Sequence, residues 1–439
     1  MSSGYRHYEN TQRLSVASET AAATGVANLQ NWEPAVEEIH GWPGYEPQPL
    51  WALPNRARQL GIADLYYKDE SQRFGRELAS FKALGAPYAV FSLLRDAVEQ
   101  ATGRRPTAAE LRAGEFKAIT ERMTMCVATD GNQGRGLAFG AQTFGCRCVV
   151  YIHRHVSDGR KEAIERYGAI VIRIDGEYEQ SVARAGEDAR INGWHFVSST
   201  SWDDFNEPIP RYVMHAYMVM VEEALAQLPS DRAITHVFMQ GGVGSIPAAI
   251  FLGFAKQGSG PIPRFVVVEP LEADCLYQTA VNGKPTPSAG TLKTIMAGLA
   301  CREVSPAAWK VLEWLASDYV AIPDSWSSHA MTTLADGAGD VPIVSGESAA
   351  AGLGVLLKAA EDPDLRGKLG LNEASQVVLF GGEGATDPQI YAEIVGCSAD
   401  EVFERQREIQ EARPGSRRDL VRTHTRMGES PSRLSRNRR

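Results

Sequence analysis

"THVFMQGGVGSIPAAI", Thr235 to Ile250, reads as a strand, a tight turn and a helix in immediate succession. The apolar run ending at Gln240 suits a buried strand, and the glycines at 241, 242 and 244 punctuate it before a helical pattern begins at Ser245. Glycines let a backbone approach a ligand without Cβ clashes, and the helix start offers free N–H groups, so Gly241, Gly242, Val243, Gly244 and Ser245 suit a phosphate. The turn lacks the lysine of a Walker loop and the G-x-G-x-x-G spacing of a dinucleotide turn, which argues against a nucleotide. A tight connection holding no ligand is the competing interpretation.

The same alternation extends outward along the chain. Apolar runs predict strands at "MCVAT" ending at Thr129, "CVVYI" at Ile152, "AIVIRI" at Ile174, "FVVVEP" at Pro270 and "QVVLF" at Phe380. Helical patterns fall between them at Lys82 to Glu99, Gln133 to Phe144, Gly159 to Tyr167, Tyr178 to Ile191, Pro210 to Gln227, Ser245 to Lys256 and Glu347 to Ala360. Strands alternating with helices predict an α/β fold with parallel sheets covered on both faces. The 439 residues suit two domains. A Gly- and Pro-rich loop, "NGKPTPSAGT", is long enough to cover a site.

Composition excludes several function classes. Hydrophobic residues make up 44% and charged residues 23%, with no apolar run near the length of a membrane span. A net charge of −9 opposes nonspecific binding to nucleic acid or to an anionic membrane. The arginine-rich stretch from Arg413 onward is the exception, and its lack of apolar residues predicts a disordered, solvated tail. The N-terminus has no basic patch followed by an apolar segment, so a secretory signal is not expected. Six scattered cysteines without a C-x-x-C pair suggest reduced thiols in a cytoplasmic protein.

A second glycine-flanked turn, "VATDGNQGRGLAFGAQTFG", places Thr129, Asp130, Gly131, Asn132 and Gln133 between a predicted strand and helix. Asp130 suits an N-cap, but capping does not account for its neighbours. Backbone N–H groups there can converge on a carboxylate, and the Asn132 amide can reach a hydroxyl on a bound ring. A third stretch, "ELASFKALGAPYAV" from Glu77 to Val90, holds Lys82 at a helix start among small and apolar residues. The helix dipole disfavours a cation there, and burial would lower its pKa. Both are costs for a structural lysine and benefits for a nucleophile, because an uncharged amine can form a Schiff base with an aldehyde.

These stretches, together with "VVVEPLEADCLY", "TIMAGLACREVSP", "VSGESAAAGLGVL" and "GGEGATD", resemble the fold type II pyridoxal 5'-phosphate enzymes, and among them the diaminopropionate ammonia-lyases, in one order from Trp51 to Ile394. The resemblance implies two domains, each a twisted, mostly parallel sheet flanked by helices. Residues 41–119 and 213–400 would form the larger, cofactor-binding domain and 120–212 the smaller one, with extensions at 1–40 and 401–439. It implies that Lys82 holds the cofactor, that the 241–245 turn binds its phosphate, that Asn132 contacts the ring hydroxyl and that Thr386 meets the pyridine nitrogen. The substrate would lie against Thr129, Asp130, Gly131, Gln133 and Ser199. The implied reaction is β-elimination from an amino acid to pyruvate and ammonia, with Lys82 as base on one face and Asp130 on the other, so that D- and L-substrates both react. A homodimer is the usual assembly.

Two departures from the family pattern stand out. In "VSSTSW", Ser199 occupies a place where an aspartate is expected near the second amine, with Asp203 or Asp204 as possible compensation. Gln133 replaces a histidine and cannot titrate near neutrality. Ser199 therefore favours, as an alternative, a dehydratase of a β-hydroxy amino acid. A metabolite-binding module in which Lys82 is incidental is the non-enzymatic alternative. Elsewhere, His153 and His155 suit surface positions without a third metal ligand. Ser345 and Glu347 suit a helix start, Glu269 a salt bridge or a site, and Cys301 the core.

Overall fold

The computed structural model describes residues 4–14, 31–129, 131–201, 207–257 and 261–412. Its strands are β1 (Arg6–Glu9), β2 (Leu50–Ala52), β3 (Asp64–Asp69), β4 (Thr124–Ala128), β5 (Arg147–Ile152), β6 (Ile170–Arg173), β7 (His195–Phe196), β8 (His236–Gln240), β9 (Arg264–Pro270), β10 (Asp318–Ile322) and β11 (Gln376–Gly381). They form a seven-stranded sheet in the order β1-β10-β9-β8-β11-β3-β2 and a four-stranded sheet in the order β6-β5-β4-β7. The smaller sheet is parallel throughout. In the larger one, β10, β9, β8, β11 and β3 are parallel, while β1 and β2 close the two edges antiparallel.

The strands β8 and β10 are buried at every position, as parallel strands covered by helices on both faces require. All six strands and all seven helices expected from the sequence are present. One helix starts later than expected: it spans Ala351–Glu361, and Glu347 lies in the turn before it. The backbone there is engaged elsewhere. Gly346 N–H donates to Glu383 O at 3.0 Å, Ser348 N–H to the Glu383 carboxylate at 3.2 Å, and the Ser327 hydroxyl to Glu347 O.

Close helix packing sets the geometry around Lys82. The helix Lys82–Thr102 lies against Asn132–Phe144 and Pro208–Gln227. A Cβ at Gly136 would come within 2.6 Å of Lys82 O, one at Gly140 within 2.7 Å of Pro87 Cα, and one at Gly85 within 2.7 Å of the Tyr217 ring. Only hydrogen at these positions lets the helices approach so closely, backbone on backbone at 136 and 140 and against a ring at 85.

A charged cluster is fully buried beneath the loop that leads to Lys82. Arg73 donates to both oxygens of Glu70 at 2.7 and 2.9 Å and to both oxygens of Glu223 at 2.8 and 2.7 Å. Lys68 donates to Gln48 O at 2.6 Å and pairs with Glu223, and the Tyr45 hydroxyl donates to Glu223 at 2.8 Å. Two cations thus meet two carboxylates away from water, where only full pairing makes burial tolerable.

Candidate active site

The C-terminal ends of β4, β8 and β11 open onto one cavity of about 500 Å³, where open parallel sheets commonly bind ligands. Three turns named from the sequence meet there. Lys82 enters from the start of its helix. Thr129, Gly131, Asn132 and Gln133 enter from the turn after β4, and Gly241, Gly242, Val243 and Ser245 from the turn after β8. Ser199 and Thr386 also line the cavity. Gly244 does not: it points under the turn, where a Cβ would contact Leu276, Leu312 and Ala308 at 3.1 to 3.3 Å. Asp130, Asp203 and Asp204 lie outside the described residues, as does the chain from 413 onward.

The turn after β8 is shaped as a cradle. Gly242 has φ +64° and Gly244 φ +96°, conformations that L side chains rarely adopt. A Cβ on Gly241 would sit 2.7 Å from Glu269 Cγ. The Ser245 hydroxyl donates to Ser199 O at 2.6 Å, joining the helix start to the stretch that carries the family departure. Glu269 forms no salt bridge among the described residues. It accepts the N–H groups of Leu276 and Tyr277 at 2.9 and 2.7 Å, and burial pushes its carboxyl up to about 8.

Lys82 Nζ lies 4.9 Å from the Phe81 ring centroid and 6.0 Å from that of Tyr217, with no ion pair among the described residues. Burial lowers its pKa, while Cys301 and Glu383 act in the opposite direction. An amine depressed in this way is a better nucleophile at neutral pH. Cys301 is partly exposed on the cavity wall and not in the core as the sequence suggested, because the 297–301 segment turns its chain inward over Gly242.

Asn132 donates its amide to Glu383, which also accepts from Ser348 N–H at 3.2 Å. Gln133 donates to Val197 O at 3.3 Å, and its Oε1 is buried without a partner. Thr129 accepts from Gly131 N–H at 3.0 Å, and Thr386 O accepts from Arg135 at 3.1 Å. The carboxyl of Glu347, only 4% exposed, leaves Oε1 without a partner, and burial and then the charge of Glu383 raise it to about 7. Sequence reasoning missed Glu383, although it stands within "GGEGATD"; an acid between glycines after an apolar strand was the available signal. His153 and His155 lie away from this cavity, their rings 5.8 Å apart.

Residues 42–381 match the family described as pyridoxal-phosphate dependent enzyme. The chain belongs to that family. It is 36% identical over 362 residues to the diaminopropionate ammonia-lyase of Escherichia coli (strain K12), covering 80% of this chain and 88% of that one. A holo crystal structure of diaminopropionate ammonia-lyase from Escherichia coli superposes with a TM-score of 0.80 at 33% identity, covering 89% of this chain and 96% of that one. Structures of that enzyme in complex with D-serine and with an aminoacrylate-PLP azomethine reaction intermediate give TM-scores of 0.76 and 0.74, each at 32% identity over the same shares.

The residues fit the family's cofactor. The cradle excludes side chains where a phosphate would rest, the helix Ser245–Gln257 begins at it, and a lysine of lowered pKa faces the same space. The fold is the α/β, fold type II architecture expected of a family member. No helix among the described residues is long and apolar enough to cross a membrane.

Proposed function

We propose that the cavity carries out α,β-elimination on 2,3-diaminopropionate or a closely related β-substituted amino acid. With diaminopropionate, one water is consumed, and pyruvate and two ammonia molecules leave. The carrying observation is the convergence of the buried Lys82 amine, its pKa lowered by burial, with the 241–245 cradle in a chain 36% identical to diaminopropionate ammonia-lyase.

Lys82 would hold pyridoxal phosphate through its amine, the 241–245 turn would take the phosphate, Asn132 the ring hydroxyl and Thr386 the pyridine nitrogen. A neutral threonine at that nitrogen leaves the ring a weaker electron sink, which suits elimination over transamination. The bound cofactor supplies the delocalisation that stabilises charge developing at the substrate Cα. Lys82 would accept the substrate's Cα proton on one face. Asp130 would accept it on the other, giving access to both configurations. Thr129, Gly131 and Gln133 would position the carboxylate.

Ser199 supplies no charge for the substrate's second amine. Four glutamates among the described residues line the cavity, at 179, 303, 347 and 383, and Glu179 is paired with Arg302 at 3.2 Å. Glu347, buried with a free oxygen, is the acid best suited to hold a β-ammonium group. Residues 120–212, which contain the whole smaller sheet, would form the smaller domain, and 41–119 with 213–400 the larger. A cytoplasmic homodimer completes the proposal.

A panel of D- and L-amino acids scored for ammonia and 2-oxo acid tests this function. Turnover of diaminopropionate is expected. Inactivity on it with turnover of a β-hydroxy amino acid would instead establish the dehydratase that Ser199 favours.

A further inference from the structure

Behind the wall of the active-site cavity lies a second hollow of about 320 Å³, lined by four arginines: Arg76, Arg135, Arg160 and Arg166. Arg135 is the anomaly. It is only 4% exposed, and among the described residues no carboxylate pairs with it. Its guanidinium donates to two carbonyls, Glu77 O at 2.8 Å and Thr386 O at 3.1 Å, while Nε is buried without a partner. Two of five N–H donors are thus used, and a buried cation without a counter-charge is costly. Burial lowers its pKa; Tyr167, Glu383 and Asp387 act in the opposite direction, and the neighbouring Arg160 adds to the lowering.

The acids around the hollow act on Arg135 only at a distance, without pairing with it. Asp387 faces Arg160 at 3.5 Å and caps the helix Pro388–Val395 through Ile390 N–H at 3.3 Å. The side chains of Glu77 and Glu162 are exposed to water. Arg76 is held by Asp400 at 2.9 Å and stacks on Phe403, whereas Arg166 is exposed and unpaired among the described residues.

We propose that this hollow binds a compact dianion of the phosphate or dicarboxylate type, with Arg135 as its buried anchor and Arg166 as its outer clamp. Guanidinium forks match both oxyanions in bidentate fashion. The anion would brace the active site from behind. Arg135 lies in the helix whose first residues, Asn132 and Gln133, line the catalytic cavity, and it holds the carbonyl of Thr386. Arg160 and Thr386 line both hollows.

The test uses holoenzyme, with its cofactor phosphate site filled, exchanged into chloride buffer. Inorganic phosphate and malonate are titrated in separately by calorimetry at constant ionic strength. Saturable binding of at least one is expected, and which of the two binds identifies the source chemistry. Arg166→Gln is expected to weaken binding about ten-fold or more, the scale of a lost charge-assisted contact. The thermal midpoint should rise with anion concentration in the wild type and not in Arg135→Met. No saturable heat from either anion overturns the proposal. So does affinity unchanged by Arg166→Gln, because Arg166 lines only the second hollow and the anion would then be in the substrate cavity. Should Arg135→Met fail to fold, the Arg166→Gln result decides alone.

Discussion

Replacing Lys82 with alanine deletes the one amine among the described residues that faces the cradle and leaves the helix start intact, since its backbone still meets Gly136. Ammonia release should fall by about 10²- to 10⁴-fold, the range for a lost proton-transfer group, and the visible absorbance of the bound cofactor should disappear. Stopped-flow ammonia assays and a spectrum of the purified variant check both. Glu347→Gln addresses specificity. Its carboxyl, raised to about 7 by burial and by Glu383, is mostly protonated below that pH and charged above it. If its charge holds the β-ammonium, kcat/KM for diaminopropionate should decline as pH falls through about 7. The variant should show a flatter profile and a loss of about ten-fold or more at pH 8, with little change for serine. An unchanged profile would remove Glu347 from recognition. Lys82 was legible in the sequence because a cation at an apolar helix start conflicts with both dipole and burial. Glu347, read there only as a helix-start acid, shows its unpaired oxygen only once the 383 loop folds over it, and Arg135 was invisible for the same reason.

Among the elements, the turn after β8 separates two costs that glycine avoids. Gly241→Ala would drive a Cβ to 2.7 Å from Cγ of the buried Glu269, whose carboxylate is held by two backbone N–H groups, and should cost about 1–3 kcal/mol together with weaker cofactor retention. Gly242→Ala has its nearest neighbour at 3.6 Å but sits at φ +64°, so only the left-handed penalty of about 1 kcal/mol applies. Thermal melts and cofactor release on dilution should rank the two in that order. The central parallel strands were legible as unbroken apolar runs. The strands that escaped, "RHYE", "LWA", "DLYYKD", "HF" and "DYVAI", are short or carry charges. In β3 those charges are Asp64, Lys68 and Asp69, and the last two are buried only because partners arrive from elsewhere in the chain: Glu223 on a distant helix for Lys68, and Trp51 for Asp69 at 3.0 Å.

Across the whole molecule, the cluster of Lys68, Glu70, Arg73 and Glu223 ties the first part of the chain to the helix Pro208–Gln227. Glu223→Gln leaves two cations facing one carboxylate out of water, and a loss of about 3 kcal/mol or more in urea denaturation is expected. A loss below 1 kcal/mol would mean that water reaches the cluster. The connectivity of the two sheets also has a temporal side. All four strands of the smaller sheet come from one continuous stretch between Thr124 and Phe196, whereas β3 waits beside β11 and β1 beside β10, each partner more than 300 residues further along. On the ribosome, the smaller sheet can assemble while the larger one is still missing its middle. Lys82 is therefore made early and meets the cradle late, so its amine stays an ordinary solvated cation until the larger sheet closes and buries it.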